Sequence, residues 1–416
     1  MTRTPQHRLR PPADAMMPAS DDAAADLGHG IFMSQGMSNS YVIVTDEGWV
    51  VVNAGMGFEG PTHRRAFDAV TSGPITHLVI TQGHYDHVGG AQHLSDEGTR
   101  VVAQANWHIW HQDNDRLARF RTSNAGFAWM ERVIEGMKAA AVRYPGVDLS
   151  QASPVPDVVV AEPTVLEVGG RRLELIPVEG GETTDSLIIW LPDDKVCFTG
   201  NAFGPLFGHV PNLVTMRGDR YRDALVTAGT IDLVRGLGAE TIITGHYEPI
   251  VGAEVIEETL TAMHTALVSV HDQVVDGMNA GKNVHTLMRE VRLPDPDAVG
   301  EGYGQTSWNV RAIWENYAGW FHHRSTTELY AVPATEVHAD IVDLIGGPEP
   351  LLDRARQHLD DGRPLEALHL AEIAESSVGR TDEVKAVLLA AHEALLPPVT
   401  NFWEHAWLAR QVRELS

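Results

Sequence analysis

The sequence predicts a layered α/β domain followed by an all-α domain, and three observations predict it. Up to about Gly252, short β-branched and aromatic runs alternate with helical stretches, the pattern of sheet layers covered by helices. One run, THLVIT at residues 76–81, is a short apolar run bounded by turn residues and reads as a buried strand. From Ala253 onward strand signal gives way to amphipathic helical stretches.

Taken in order, residues 1–27 are polar and read as a disordered tail. They hold basic residues but no apolar stretch of the roughly seven to fifteen residues that a secretory signal needs, so a cytoplasmic protein is expected. Strands are expected at IFMSQ, SYVIVTDEG and WVVVNAG, with Asp46-Glu47-Gly48 as a hairpin turn. A helix around Thr62 to Ser72 precedes THLVIT. Residues 106–144, with their Trp, Arg and Ala content, read as a helical insertion over a site. Strands resume at DVVVAEP, RRLELIPV, SLIIWL and KVCFTG. A helix near Tyr221 to Leu237 and a last strand, ETIITGH, complete a domain of residues 28–252. Residues 253–416 form the helical domain, whose last stretches, RPLEALHLAEIAE and TDEVKAVLLAAHEALL, are spaced like helical hairpins.

A formal charge of -25 opposes nucleic acid and anionic membrane surfaces, so an anionic substrate needs a local cation. No run approaches the roughly 18 apolar residues of a membrane span. The one cysteine, Cys197, excludes an intramolecular disulfide or a cysteine zinc cluster and reads as a buried apolar residue.

The chemistry concentrates in QGHYDHVGG, residues 82–90, where two histidines and an aspartate fall within four positions between a buried strand and a helix start. A strand-to-helix loop can fan such side chains around a divalent cation. The competing reading, a polar turn whose histidines cap a helix, is disfavoured by the apolar strand before it and the two glycines after it. His246, at the end of another buried strand, is placed to return to the same loop.

This motif resembles the His-x-His-x-Asp-His signature of the metallo-β-lactamase superfamily, with Gln82 at the first position and His84, Asp86 and His87 at the others. SNSYVIVTDEGWVVVNAG resembles that family's opening hairpin, VCFTGNAFG the strand end that usually carries a bridging aspartate, and ITGHYEP the last metal histidine. A narrower resemblance is to the alkyl sulfatases. Glu182 in GGETTDSL stands at their glutamate ligand position, and NLVTMRG, residues 212–218, is similar to the segment whose asparagine and arginine hold the sulfate. From Tyr303 on, YGQTSWNVRAIWENYAGWFHHRSTTELYAVP and the helices after it resemble the alkyl sulfatase dimerisation domain.

The resemblance implies an αββα metallo-β-lactamase sandwich followed by an all-α helical dimerisation domain. It implies a metal site drawn from Gln82, His84, Asp86, His87, Glu182, Asn201 and His246. Asp86 and His84 become the catalytic candidates, and Asn212 and Arg217 the substrate-binding ones. Two departures stand out: Gln82 is a neutral amide, and Asn201 or Gly200 replaces the bridging acid. Asp86 and Glu182 then supply two negative charges against the four positive charges of two divalent ions. One firmly bound ion at Asp86, His87 and His246 is expected, with a weak or empty second position near His84 and Glu182. Zinc is the leading candidate, with iron or manganese as alternatives. The implied function is hydrolysis of a sulfate ester or related small-molecule ester by metal-activated water. The alternatives are a reassigned hydrolase of another ester, amide or C–N bond, or a non-catalytic or iron-binding member of the same fold. A homodimer through the C-terminal helices is implied.

Overall fold

The computed structural model describes residues 3–214 and 216–416; Thr215, inside NLVTMRG, and the first two residues of the N-terminal segment lie outside the described residues. Thirteen strands are described: β1 (Ala25–Asp26), β2 (Ile31–Ser34), β3 (Ser40–Thr45), β4 (Gly48–Val52), β5 (Ile75–Val79), β6 (Arg100–Gln104), β7 (Val158–Val160), β8 (Thr164–Val168), β9 (Arg171–Val178), β10 (Ser186–Leu191), β11 (Val196–Gly200), β12 (Thr241–Thr244) and β13 (Ile250–Val251). β1 to β7 form one sheet in sequence order, and the second sheet runs β13-β12-β11-β10-β9-β8. The β3–β4 hairpin pairs Thr45 with Gly48 across the two-residue turn at Asp46-Glu47, as the turn residues predicted.

Alternation along the strands builds the layers. Tyr41, Ile43, Val50 and Val52 meet Leu175, Leu187, Ile189 and Phe198 of the second sheet in the central core. The intervening Val42, Trp49 and Val51 face the opposite way, onto Phe67, Leu94 and Trp107. A side-chain period of two sorts one strand into two cores. Truncating a side chain such as Ile189 at this centre costs roughly 2–5 kcal/mol.

The helices of this part are α1 (Gln6–Leu9), α2 (Gly60–Asp68), α3 (Tyr85–Val88), α4 (Trp107–Arg116), α5 (Ala118–Arg143), α6 (Ala224–Leu237), α7 (Ala253–Asn279), α8 (Val284–Glu290) and α9 (Thr306–Ala318). α2 and α4 cover the first sheet. α6 and α7 cover the second, where Ile231, Val234, Leu260 and Leu267 pack with Ile188, Cys197 and Ile242. The layers are therefore αββα. Cys197 is fully buried, and burial pushes its thiol up, as expected of an inert core cysteine.

Two expectations shift. Helical character begins at Ala253, but the first compact unit extends to Asn316, because the apolar faces of α7 and α9 share a core with the second sheet. The N-terminal segment, expected to be a disordered tail, is ordered over its described residues. Arg10 donates to the carbonyls of His246 (2.9 Å) and Glu248 (2.9 Å), Met16 is buried, and β1 pairs with β2. Its polar composition concealed an anchor made of one arginine and backbone oxygens.

Residues from Tyr317 form a second compact unit. It holds α10 (His338–Leu344), α11 (Glu349–Asp360), α12 (Pro364–Val378), α13 (Asp382–Leu395) and α14 (Phe402–Leu415). Ala355, Ala367, Ala371, Ala374 and Ala391 let α11, α12 and α13 approach closely around Leu352, Val387 and Leu388. No described helix is long and apolar enough to cross a membrane.

Candidate metal centre

The loop after β5 delivers Gln82, and the one-turn helix α3 delivers Asp86 and His87, with His84 extended just before it. Gly90 is required here: a Cβ at that position would lie 2.2 Å from the Ala54 carbonyl oxygen. Glu182 comes from the loop between β9 and β10, Asn201 follows β11, and His246 follows β12. The ends of strands in both sheets thus meet at one edge of the sandwich.

Asp86, His87 and His246 converge so that one ligand atom from each lies within 4.8 Å of the others. Asp86 Oδ2 is 3.5 Å from His87 Nε2 and 3.8 Å from His246 Nε2. His246 Nδ1 donates to the Met37 carbonyl at 2.7 Å, which leaves the Nε2 lone pair facing the cluster. Asn201 Nδ2 reaches that Nε2 at 3.0 Å, a contact that ligation would displace. His87 Nδ1 lies 3.1 Å from Ser38 Oγ and 3.0 Å from the nitrogen of the Asn53 amide, which Thr81 orients by donating to its oxygen. His87 Nε2 is buried with no hydrogen-bond partner among the described residues. A buried, unsatisfied imidazole nitrogen beside a carboxylate and a second oriented imidazole fits a divalent cation. Burial pushes the His87 imidazole down to about 4 and His246 below its ordinary value, so both are neutral at physiological pH. Burial opposes the charge on Asp86, but the imidazoles around it prevail and hold its carboxyl below the usual range.

His84, Glu182, Gln82 and Asn201 lie on the other side of the cluster and are occupied by one another. The Gln82 amide sits against His84 Nδ1 (2.7 Å) and Glu182 Oε2 (3.3 Å), and Asn201 Nδ2 donates to the same Oε2 at 3.0 Å. Arg217 donates from Nη2 to His84 Nε2 at 2.9 Å, and that nitrogen is 3.8 Å from Glu182 Oε1. Burial works against the charge on Glu182, yet the His84 contact and the Arg217 and Arg222 guanidiniums hold its carboxyl well below the ordinary value.

A cavity of about 400 Å³ opens over this floor, with His84, Asp86, Glu182, Asn201, His246 and Arg217 on its wall. Met16, Met56, Trp110, Trp129, Met130 and Val133 form an apolar side, much of it from α5. The helical insertion over the site is therefore present. Asn212 departs from expectation. It is buried and absent from the cavity wall, and neither side-chain polar atom has a hydrogen-bond partner among the described residues.

Sequence reasoning missed Asp219 and Arg121. Arg217 Nε donates to Asp219 Oδ2 at 2.9 Å, and Arg121 Nη2 reaches Asp219 Oδ1 at 3.3 Å. Arg222 lies close by, buried, with Nη1 donating to the Asn212 carbonyl. Arg217, Asp219 and Arg222 are neighbours in the chain, but Arg121 joins them only when α5 folds over the loop after β11.

The sequence profile of the metallo-beta-lactamase superfamily matches residues 33–246, and that of alkyl sulfatase dimerisation matches residues 288–413. A linear primary-alkylsulfatase from Pseudomonas sp. is 25% identical over 334 residues, covering 75% of this chain and 61% of the relative. An (R)-specific secondary-alkylsulfatase from Pseudomonas sp. is 27% identical over 350 residues, covering 78% of this chain and 52% of the relative. The chain thus spans between about half and three fifths of the length of these relatives. The solved structure of the stereoselective inverting sec-alkylsulfatase Pisa1 from Pseudomonas sp. superposes with a TM-score of 0.80 at 23% identity, over 94% of this chain and 65% of that one. With the αββα layers and the Asp86, His87, His246 cluster at the sheet edge, the chain belongs to the metallo-beta-lactamase superfamily.

Proposed function

We propose that the protein is a metal-dependent hydrolase of sulfate esters that carry an apolar tail. The observation that carries this reading is one cavity holding three features together: the Asp86, His87, His246 cluster, a buried guanidinium cluster and an apolar wall. The alkylsulfatase relatives support it. Asp86, His87 and His246 would hold one divalent cation, with zinc first among candidates; when bound, it lowers the pKa of water and polarises the group under attack.

The chain's own residues do the rest. Asp86 stays ionised at neutral pH, so its carboxylate can ligate and can accept a proton from attacking water. His84, by accepting from Arg217, fixes that guanidinium at the cavity wall. Arg121 and Arg217 reach the cavity wall, both paired with Asp219. They are the local cations an anionic ester needs in a chain of net charge -25. Met130, Trp129 and Val133 exclude water from a tail lying along α5.

A second reading, hydrolysis of another ester, an amide or a C–N bond, is favoured by Gln82 and Asn201 at positions where the family places stronger ligands. The test is incubation of the zinc-loaded protein with a series of alkyl sulfates, with released sulfate measured by ion chromatography. Chelator-sensitive release that improves with tail length is expected. No sulfate release, with turnover of carboxylic esters or amides instead, would replace the first reading with the second. A homodimer is also part of this proposal, supported by the dimerisation profile over residues 288–413.

A further inference from the structure

Two cation positions are a common arrangement for a ligand set of this size, and here one side of the set differs in kind. The Asp86, His87, His246 side brings three ligand atoms within 4.8 Å of one another. The His84, Glu182 side holds a guanidinium against its imidazole.

A guanidinium and two amide nitrogens crowd the imidazole and the carboxylate there. Guanidinium nitrogens only donate, so His84 Nε2, 2.9 Å from Arg217 Nη2, must be the accepting nitrogen of that ring. His84 Nδ1 faces the Gln82 amide nitrogen at 2.7 Å and Glu182 Oε2 at 3.5 Å. A metal ion at His84 Nε2 would have to displace the Arg217 guanidinium. Glu182 Oε2 takes the Asn201 amide at 3.0 Å, and Oε1 faces Arg217 Nη2 at 3.8 Å. Asn201 Nδ2 is flanked by Glu182 Oε2 and His246 Nε2, both at 3.0 Å, which fixes the orientation of its amide with nitrogen toward the site. Arg217 is itself clamped from behind by Asp219, at 2.9 Å from Nε. A cation is therefore present beside His84 and Glu182, and it belongs to the chain.

We propose that the Arg217 guanidinium takes the place of a second metal ion, so that the protein binds one divalent cation per chain and carries its other active-site cation covalently. The two departures at this site, Gln82 and Asn201, then form one change. A guanidinium brings one positive charge, and Glu182 balances it. A bridging carboxylate would leave an uncompensated negative charge beside that pair, and Asn201 is neutral. A histidine at position 82 would present a second imidazole to a guanidinium already held by His84 and Asp219, and Gln82 offers an amide instead. A guanidinium is planar and lightly hydrated, so it fits a buried slot lined by imidazole and carboxylate without the dehydration that a divalent ion requires. This inference concerns cation content alone and does not depend on the substrate.

The test is metal content. Wild-type protein equilibrated with excess zinc and freed of loose metal is expected to hold one ion per chain by plasma mass spectrometry, and a calorimetric titration of metal-free protein is expected to saturate at one equivalent. Gln82→His alone is expected to stay at one, because Arg217 remains in the slot. Gln82→His combined with Arg217→Ala is expected to rise to two. Saturation of the wild type at two equivalents would overturn the proposal, and so would two ions in Gln82→His with Arg217 intact. A double variant that folds, by circular dichroism, and still holds one ion would also overturn it. If the double variant does not fold, the wild-type titration decides. A wild type with one ion and no alkyl sulfate hydrolysis would leave this inference standing and remove the proposed function, whereas two ions with hydrolysis would do the reverse.

Discussion

Glu59 shows how a residue outside the cavity wall can set the metal site. Its Oε1 accepts from Met37 N (2.7 Å) and Ala19 N (2.8 Å), and its Oε2 accepts from Met56 N (2.8 Å). The Met37 carbonyl in turn takes the His246 Nδ1 proton. One buried carboxylate therefore holds the loop that fixes the tautomer and rotation of a metal histidine. In Glu59→Gln one oxygen becomes a donor facing backbone N–H groups, so the Met37 loop must move. Zinc affinity measured by chelator competition is expected to fall about 10- to 100-fold, the range for loss of an orienting partner. Unchanged affinity would show that the loop holds His246 without Glu59. The direct ligands should matter more. Asp86→Ala and His246→Ala are each expected to lose most of the bound metal by plasma mass spectrometry, since each removes one of the three donors that converge among the described residues. Full occupancy in either variant would mean that the ion sits elsewhere.

At the scale of elements, α5 determines which tails fit. Of its residues only Gly136 and Ala140 are buried, and a Cβ on Gly136 would come 2.7 Å from Phe58 Cε2, so the helix touches the sandwich where its side chains are smallest. The larger Trp129, Met130 and Val133 are left to face the cavity. Trp129→Ala is expected to raise KM for a long-tailed sulfate about tenfold and to leave kcat and short-tailed substrates nearly unchanged, because the lost contact is roughly 1.4 kcal/mol of apolar burial remote from the reacting group. Steady-state kinetics across tail lengths checks it, and a loss confined to kcat would contradict it. The strands and QGHYDHVGG were legible in the sequence because a period of two and a four-residue cluster are local features. β8 was missed because its residues are mostly half-open at a sheet edge, paired only to β9 across Gly169-Gly170. The extent of the first unit was missed because the amphipathic faces of α7 and α9 do not state which surface they cover. The Arg121, Asp219, Arg217 cluster was missed because α5 meets the loop after β11 only in three dimensions.

For the molecule as a whole, burial of histidines sets the acid limit. His63 is held neutral, its imidazole pushed down to about 3 by burial, and His209 to about 4 by burial and then by neighbouring cations. The unfolded chain protonates both near 6.5, so the stability they contribute is complete above that pH and is lost as pH falls toward 4. Glu59 acts in the other direction: burial raises it to about 7, so it favours the folded state as pH drops from 7 to 4.5. His111 is also pushed down to about 4 by burial, so the histidines outweigh the one carboxyl, and chemical denaturation is expected to find the protein less stable at pH 5 than at pH 6.5. Constant stability over that interval would show that these histidines titrate normally. Assembly is the other property of the whole. Exposed apolar side chains crowd into residues 320–345 of the second unit, with Trp320 70% and Leu344 87% exposed, alongside Tyr330, Val332 and Ile341. A patch of that composition in water favours a partner surface of the same kind, and a two-fold axis supplies one without a second gene product. The dimerisation profile spans this segment. Light scattering is therefore expected to give twice the chain mass at micromolar concentration. Leu344→Glu distinguishes this surface from any other. In a monomer, a charge at so exposed a position is harmless, whereas at a symmetric apolar contact it places two carboxylates near the axis without counter-ions. The variant is expected to keep its helical circular dichroism and metal content while its mass falls to that of one chain. A dimer that survives the substitution would move the interface away from residues 320–345.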